Sequence, residues 1–274
     1  MNIKLEELLQ GTIRAAEKAA AFIQEERLGF DAQRVEVKGV NDLVSYVDKE
    51  SEKMIVADLA ALFPEAGFIV EENSVSSRRE YNWIVDPLDG TTNFVHGIPC
   101  YAVSIALEHH GEIVAGVVHE VSRGECFTAA RGHGAHCNGR PIRVSQRQTL
   151  SDCLIATGFP IQNFSREESY LGVMGELMRK THGLRRIGSA SVDLCYVACG
   201  RMDAYYEYNL NAWDIAAGAL IVKEAGGTVC DFRGKNDWLF GRECVATNGC
   251  VQGEFMQVIE RHFSIAGPKD KNGA

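Results

Sequence analysis

The sequence predicts a mixed α and β fold whose two halves are organised differently. Apolar runs separated by short turns between Tyr101 and Thr128 predict antiparallel hairpins. After Thr149, strand-like and helix-like segments alternate, which is typical of an α/β arrangement. The chain has 274 residues, 46% of them hydrophobic, so it can bury a substantial core in one large domain or two modest ones.

A polar stretch over residues 145–149 separates these halves. We therefore expect an N-terminal α+β half over residues 1–147 and a C-terminal α/β half over residues 148–266. A disordered tail is expected over residues 267–274, which are rich in polar residues and glycine.

The first half is predicted to begin with two helices. Apolar residues recur at helical spacing over residues 5–23, and a second amphipathic helix should end before Pro64. The segment 38–48 between them is interpreted as a loop that enters the second helix. Within it, Lys38 and Asp42 are candidates for the rim of a site, although solvated loop charges are an equal alternative.

Two short buried strands follow, and each ends on carboxylates. Phe68-Ile69-Val70 precedes Glu71-Glu72, and Trp83-Ile84-Val85 precedes Asp86. The next segments are hairpin strands with turns at His109-His110-Gly111 and around Gly132 to Gly139, where His133 and His136 are interpreted as turn or edge residues rather than metal ligands.

The second half is predicted to alternate between strands and helices along the chain. The predicted segments are a strand at 153–156, a helix at 166–180, a strand at 184–187, a helix beginning at 188–191, a strand at 204–207, a nearly all-apolar helix at 213–222, strands at 228–231 and 244–247, and a helix at 253–262.

Composition and charge limit the function classes. A net charge of −9 and a pI of about 5.4 argue against a nucleic-acid partner or an anionic membrane surface. The sequence shows no basic-then-apolar leader and no apolar run of membrane-spanning length, so we expect a soluble cytoplasmic protein. Nine cysteines without a C-x-x-C motif indicate reduced core thiols, including Cys195 and Cys199 on one helix face.

The stretch from Trp83 to Phe94 carries the strongest chemical signal. Pro87 should hold Asp86 and Asp89 in a tight bend, where two converging carboxylates favour a hard divalent cation. The Leu88 carbonyl could be a further ligand. After Gly90, Thr91 and the residues that follow offer hydroxyls and N–H groups that suit a phosphate. The alternative is an ordinary Asp-Gly turn followed by a Thr cap.

Other carboxylates and a helix start could complete such a site. Glu71 repeats the pattern of a carboxylate at a strand end, but a solvated turn is the commoner meaning of that pattern. Asp214 begins a buried helix, either as its N-cap or as a group that a cation meets. The Gly188 to Ser191 segment opens a helix whose N–H groups could face an anion or a hydroxyl.

Three segments together resemble the inositol monophosphatase family: Glu71-Glu72, the run Trp-Ile-Val-Asp-Pro-Leu-Asp-Gly-Thr-Thr-Asn-Phe and the later Trp-Asp-Ile-Ala-Ala-Gly. The resemblance implies a layered αβαβα sandwich of the inositol monophosphatase and fructose bisphosphatase type, commonly a homodimer. It also implies Mg²⁺-dependent, lithium-sensitive hydrolysis of a small-molecule phosphomonoester by metal-activated water, with two or three Mg²⁺ ions.

The resemblance further implies roles for individual residues. The implied metal ligands are Glu71, Asp86, the Leu88 carbonyl, Asp89 and Asp214. Glu71 and Thr91 would orient the attacking water, Gly90 and Thr91 would meet the phosphate, and Gly188, Ser189, Ala190, Glu207 and Asp214 would contact the substrate. Lys38 matches a family lysine near the site through its Val-Lys-Gly context.

The expected substrate is myo-inositol 1-phosphate, with alternatives. Asn73 stands where Ser is usual after Glu-Glu, and Asn211-Ala212 occupies a segment that varies with substrate. Thr92-Asn93-Phe94 argues against bisphosphate nucleotidases, which tend to have Lys-Glu-Phe there. Fructose-1,6-bisphosphatase and histidinol-phosphate phosphatase activities stay open, as does a catalytically silent binding protein with this fold.

Overall fold

The computed structural model describes residues 5–30, 35–39, 42–160 and 163–263, and for 36–39 and 42–43 it describes the backbone path only. The tail predicted over residues 267–274 lies outside this part of the chain. The helices are α1 (Leu5–Leu28), α2 (Tyr46–Leu62), α3 (Thr91–His96), α4 (Glu167–Lys180), α5 (Ala190–Ala198), α6 (Ala212–Glu224) and α7 (Gln252–Phe263).

The strands form three sheets. They are β1 (Val35–Gly39), β2 (Asp42–Ser45), β3 (Gly67–Val70), β4 (Tyr81–Asp89), β5 (Ala102–His109), β6 (Glu112–Glu120), β7 (Glu125–Ala130), β8 (Ala135–Cys137), β9 (Arg140–Pro141), β10 (Leu154–Thr157), β11 (Gly183–Arg185), β12 (Ala204–Tyr208), β13 (Thr228–Cys230) and β14 (Glu243–Thr247). β1 and β2 pair with each other, β3 to β9 form a seven-stranded sheet in chain order, and the third sheet has the order β11-β10-β12-β14-β13.

The large sheet is antiparallel except where β3 runs parallel to β4, and the five-stranded sheet mixes both senses. Successive side chains of a strand point to opposite faces of its sheet, so neighbouring residues pack into different apolar layers. Trp83 and Val85 of β4 pack with α1 and α2, whereas Ile84 packs with α6. Likewise Tyr205 of β12 faces α5 and α6, and Tyr206 faces α4 and α7.

These contacts define the order of the layers. α1 and α2 cover one face of the seven-stranded sheet, α5 and α6 lie between the two large sheets, and α4 with α7 covers the outer face of the five-stranded sheet. The expected layered αβαβα sandwich is therefore confirmed. α6 can occupy the middle layer because it is apolar on nearly all sides, as its sequence indicates.

Two expectations about local structure were wrong. The segment predicted as a loop entering α2 contains the antiparallel pair β1 and β2, although the side chains of Lys38 and Asp42 lie outside the described set. β4 does not end at Asp86 but continues to Asp89. Its register against β5 shifts between those two residues, since a bulge lets the strand pass Pro87, which has no N–H to donate.

Among the helices that the structure describes, none has the length and apolar composition needed to cross a membrane.

Candidate active site

The residues predicted for the site, apart from the rim candidates Lys38 and Asp42, line one cavity of about 270 Å³, which lies beside the end of β4 and the first turns of α3, α5 and α6. The predicted residues that line it are Glu71, Asp86, Leu88, Asp89, Gly90, Thr91, Gly188, Ser189, Ala190, Glu207 and Asp214. Residues that the sequence analysis did not single out line it too, including Gly158, Arg186, Asp193, Asn209 and Arg242.

Asp86 is buried at the centre of the acidic group, on the bulge of β4. Its Oδ1 accepts a hydrogen bond from the Leu88 backbone N–H at 2.9 Å, which fixes the bend that the sequence predicted. Burial raises the pKa of Asp86 well above its usual value, and the charges of Glu71, Asp89 and Asp214 raise it further. These carboxyl groups therefore repel one another and require protons or cations.

Asp89 joins the two halves of the chain. One of its oxygens, Oδ2, accepts hydrogen bonds from the Ser189 hydroxyl at 2.6 Å, the Ser191 N–H at 2.7 Å and the Ser191 hydroxyl at 2.5 Å. Burial raises the pKa of Asp89 and these bonds lower it. The anion at the start of α5 is thus a carboxylate of the protein, and the Ser189 hydroxyl is already engaged.

Thr91 is held from two sides. Its Oγ1 lies 2.7 Å from Asp48 Oδ1 and 2.9 Å from the Leu88 carbonyl oxygen. The other oxygen of Asp48 accepts hydrogen bonds from the Ser45 N–H and hydroxyl, which completes a capping box at the start of α2. Burial raises the pKa of Asp48. The Ser-x-x-Asp spacing could have indicated the cap, but not the contact with Thr91.

Glu52, another residue that sequence reasoning missed, positions the loop that carries Glu71. It is fully buried, and its two oxygens accept hydrogen bonds from the backbone N–H groups of Glu72 at 2.6 Å and Ser74 at 2.8 Å. Asn73 between them has a positive φ of 58°, which Asn tolerates well, and its amide donates to the Glu71 carbonyl at 3.1 Å. α2 therefore orders the loop on which Glu71 enters the cavity.

Asp214 is not the N-cap of α6, which was one of its two interpretations. Asn211 is the N-cap, and Asp214 occupies the third helical position, where its Oδ2 accepts a hydrogen bond from the Asn211 N–H at 2.6 Å. Burial raises the pKa of Asp214 to about 8, with contributions from the charges of Asp89 and Glu207. Because capping uses one oxygen, the other is left for the cavity.

The cavity holds two further carboxyl groups, the fully buried Asp193 and the partly buried Glu207. Burial raises the pKa of Glu207 to about 7, although a hydrogen bond from the Tyr205 hydroxyl at 2.7 Å and the charge of Arg186 act in the other direction. Burial also raises the pKa of Asp193, whose Oδ1 has no hydrogen-bond partner in the described structure. No local pattern distinguishes Asp193 or Arg186 from ordinary helix and turn residues.

The donors around Asp86 fit a hard divalent cation, since they are oxygens, carry several negative charges and are shielded from water. Across the described residues, no three of the four carboxylates bring one oxygen each within 4.8 Å of one another. A single ion could not take three of them without side-chain movement.

Comparisons with known proteins bear on the fold and the family of the chain. A family model described as the inositol monophosphatase family matches residues 4–265. The putative Nus factor SuhB of Neisseria meningitidis serogroup B is 44% identical over 256 residues, which cover 93% of this chain and 98% of that protein. The inositol-1-monophosphatase of Mesorhizobium japonicum is 42% identical over 259 residues, covering 94% and 97%.

A solved structure is similar in fold as well. The extragenic suppressor protein SuhB from Bartonella henselae superimposes with a TM-score of 0.87 at 42% identity, covering 92% of this chain and 98% of that one. Taken with the named phosphatases, this similarity supports a phosphatase at the level of general activity. The chain belongs to the inositol monophosphatase family.

Proposed function

We propose that this protein hydrolyses phosphomonoesters with the help of Mg²⁺ and that its preferred substrate is myo-inositol 1-phosphate. The observation that carries the proposal is the convergence of four carboxyl groups from distant parts of the chain, Glu71, Asp86, Asp89 and Asp214, on one cavity. Burial raises the pKa of Asp86 and of Asp214, and the charge of Asp89 raises both further, a repulsion that bound cations would relieve.

In this proposal the metal ligands are Glu71, Asp86, the Leu88 carbonyl, Asp89 and Asp214, and two or three Mg²⁺ ions would bind. When bound, Mg²⁺ would neutralise phosphate charge and make water a better nucleophile. The Ser189 and Ser191 contacts hold Asp89 in place, while the Asn211 N–H does the same for Asp214. The protein thus prepares its ligands before a cation arrives.

The residues around Thr91 would orient the attacking water and the phosphate. A Thr91 hydroxyl that donates its proton to Asp48 presents its lone pairs to a proton of the water, and Glu71, which lines the same cavity, would contact the water as well. Gly90 and Thr91 stand at the start of α3, where backbone N–H groups lack helical partners and can meet phosphate oxygens.

The alcohol part of the substrate would lie against the second half of the chain. Glu207, once ionised, can accept hydrogen bonds from hydroxyl groups, and Gly188, Ser189 and Ala190 offer backbone groups. Asp214 completes this set from the α6 side. Such a wall suits a polyol, because Glu207 and the backbone groups beside it can exchange hydrogen bonds with several hydroxyl groups.

The experiment that tests the substrate is a ranking of kcat/KM for myo-inositol 1-phosphate, fructose 1,6-bisphosphate, histidinol phosphate and an adenosine bisphosphate at saturating Mg²⁺. We expect myo-inositol 1-phosphate to rank first. Either bisphosphate in first place would contradict the proposed role of the acidic wall. Histidinol phosphate in first place would instead indicate that the acidic residues of this wall bind a cationic amine.

The proposal also includes inhibition by Li⁺, which the family resemblance implied. A Li⁺ ion that replaces the most weakly held Mg²⁺ after turnover would slow product release, so kcat and KM should fall together. Steady-state kinetics at constant ionic strength, with Li⁺ replacing K⁺, measure this directly. Inhibition that disappears at high substrate would contradict it.

A second candidate is a binding role that does not use catalysis. The observation that favours it is the 44% identity to a relative named as a putative Nus factor. The discriminating variant is Asp86→Asn, which removes a metal ligand of the proposal without changing the surface. If cells that lack this protein recover with Asp86→Asn as fully as with wild type, the cellular role is binding, whereas failure to recover assigns it to catalysis.

A further inference from the structure

We propose that Glu80, His109 and His110 form a separate metal site, suited to a borderline divalent cation such as Zn²⁺ rather than to Mg²⁺. One ligand atom from each side chain lies within 4.8 Å of the other two. The Nε2 atom of His109 is 3.2 Å from Glu80 Oε1, and the Nε2 atom of His110 is 3.6 Å from the same oxygen.

The hairpin between β5 and β6 explains why two consecutive histidines meet. In an extended strand, neighbouring side chains point to opposite faces. Here His109 ends β5, and His110 and Gly111 both adopt positive φ values, 52° and 82°, which are typical of a tight hairpin turn. The turn brings the His110 ring back to the His109 ring, with their centroids 4.2 Å apart.

The neighbouring strand supplies the carboxylate and a support. β4 begins at Tyr81, which pairs with His109, so Glu80 lies directly beside the turn. The Tyr81 ring stacks on the His109 ring at 4.0 Å with an interplanar angle of 2°. This stacking limits rotation of the His109 ring, which lowers the entropy that would be lost when an ion binds.

The spacing of the donors matches a tetrahedral ion. Zinc binds imidazole nitrogen and carboxylate oxygen at about 2.0–2.1 Å, so two ligands of a tetrahedral site are roughly 3.4 Å apart. The two donor distances to Glu80 lie close to that value. Two imidazoles and one carboxylate also form a donor set that favours borderline cations, whereas the cavity around Asp86 offers only oxygen.

The site is open to solvent and distant from the cavity. The side-chain exposures are 25% for His109, 70% for His110 and 64% for Glu80, so water can complete the coordination and the ion can exchange. Tyr81 and Asp89 stand at opposite ends of β4, roughly 25 Å apart at strand spacing. An ion here would therefore link the start of β4 to the hairpin and leave turnover unchanged.

The test is a calorimetric titration of the full chain with Zn²⁺ in excess Mg²⁺, which keeps the acidic cavity filled. The variants are His110→Asn, which keeps a residue that tolerates positive φ, and Glu80→Gln. The matched control is His133→Asn, a histidine exposed in another turn. We expect one Zn²⁺ per chain in wild type and control, at least about tenfold weaker binding in both site variants, and a higher unfolding temperature with Zn²⁺ only where binding survives.

Two results would overturn the proposal. One is the absence of Zn²⁺ binding to wild type under these conditions, which would leave the cluster as a polar contact between Glu80 and the two histidines. The other is Zn²⁺ binding that neither substitution weakens. A nitrogen coupling pattern from two imidazoles in the electron paramagnetic resonance spectrum of the Cu²⁺ form, reduced to one in His110→Asn, would support it independently.

Discussion

Glu207 shows how burial controls a single residue of the cavity. Its side chain is partly buried at the cavity wall, its Oε2 accepts a hydrogen bond from the Tyr205 hydroxyl, and burial raises its pKa to about 7. In the proposed function the ionised form accepts hydrogen bonds from substrate hydroxyls. The same ionisation carries a desolvation penalty when no substrate or cation is present.

Because of this penalty, the free energy of unfolding should depend on pH, and Glu207→Gln should reduce that dependence. The folded pKa, about 7, lies above the ordinary value of 4.5, so folding takes up a proton between these values. The stability contributed by neutral Glu207 is complete below pH 4.5, falls as pH rises towards 7 and is lost above it, a change of up to about 3 kcal/mol. Urea unfolding in EDTA measures the free energy of unfolding at pH 5 and pH 8. Between these pH values, Glu207→Gln should lose less of this free energy than wild type. Equal losses in the two proteins would contradict the assignment.

Gly158 packs against Glu207, so a substitution there tests the role of the Glu207 carboxyl group. A Cβ atom at this position would lie 1.9 Å from Glu207 Oε2 and 2.1 Å from its Cδ, so Gly158→Ala must displace the carboxyl group. We expect kcat/KM for myo-inositol 1-phosphate to fall about tenfold or more with little loss of stability. Gly253→Ala is the control, since nothing lies within 4 Å of its new Cβ. Unchanged kinetics in Gly158→Ala would remove Glu207 from the substrate site.

The four carboxyl groups proposed as metal ligands could be predicted from sequence because each stands at a recognisable boundary, a strand end or a helix start. Asp48 and Glu52 could not, since both belong to α2 and their roles arise from contacts with Thr91 and the Glu72 N–H. Tertiary proximity of this kind leaves no periodic signal.

At the scale of elements, β4 and the segment before α2 show what local patterns miss. Pro87 indicated the end of a strand, yet pairing with β5 resumes at Asp89 because a bulge removes the need for its missing donor. Polar residues around Gly39 indicated a loop, but β1 and β2 satisfy their backbone groups by pairing with each other. Pairing energy thus overrode the local propensity.

The contact between α4 and α7 gives a prediction about acid stability. Glu176 of α4 accepts hydrogen bonds from Arg261, Lys180 and His262, which together lower its pKa to about 2. The stabilisation that ionised Glu176 contributes is present above its ordinary pKa of 4.5 and is lost as pH falls from 4.5 to 2.

Glu176→Gln should therefore unfold at a lower temperature than wild type at pH 7. The difference between the two unfolding temperatures should become smaller as pH falls from 4.5 to 2. Thermal unfolding over this range measures the narrowing. A constant difference across the range would show that these contacts do not depend on the charge of Glu176.

At the scale of the whole molecule, the site lies where the halves meet. Asp86 and Asp89 come from the seven-stranded sheet, and Asp214, Ser189 and Ser191 come from the two helices of the middle layer. Apolar patterns predicted most of the individual elements, but the order of the layers depends on which distant faces pack together. That order was accessible only through the family resemblance, because no local pattern encodes it.

An exposed apolar face on α4 predicts self-association. Leu171 and Met178 are seven residues apart on the helix, so they share a face, and they are 54% and 60% exposed. The homodimer implied by the family resemblance would cover such a face. Leu171→Glu should lower the mass measured by light scattering from that of a dimer to that of a monomer, while the control Glu65→Gln, at an exposed position outside α4, should not. A wild-type monomer, or a dimer unaffected by Leu171→Glu, would exclude this face.

The most direct test of the central claim is the rate of phosphate release from myo-inositol 1-phosphate at saturating Mg²⁺, compared between wild type and Asp86→Asn. The substitution removes a buried carboxyl whose pKa is raised by its acidic neighbours, so the variant should fold as well as wild type, which circular dichroism checks. We expect turnover to fall at least about a hundredfold in Asp86→Asn, and we expect EDTA to abolish wild-type turnover and Mg²⁺ to restore it. Turnover by folded Asp86→Asn near the wild-type rate, or wild-type turnover that persists in excess EDTA, would contradict it.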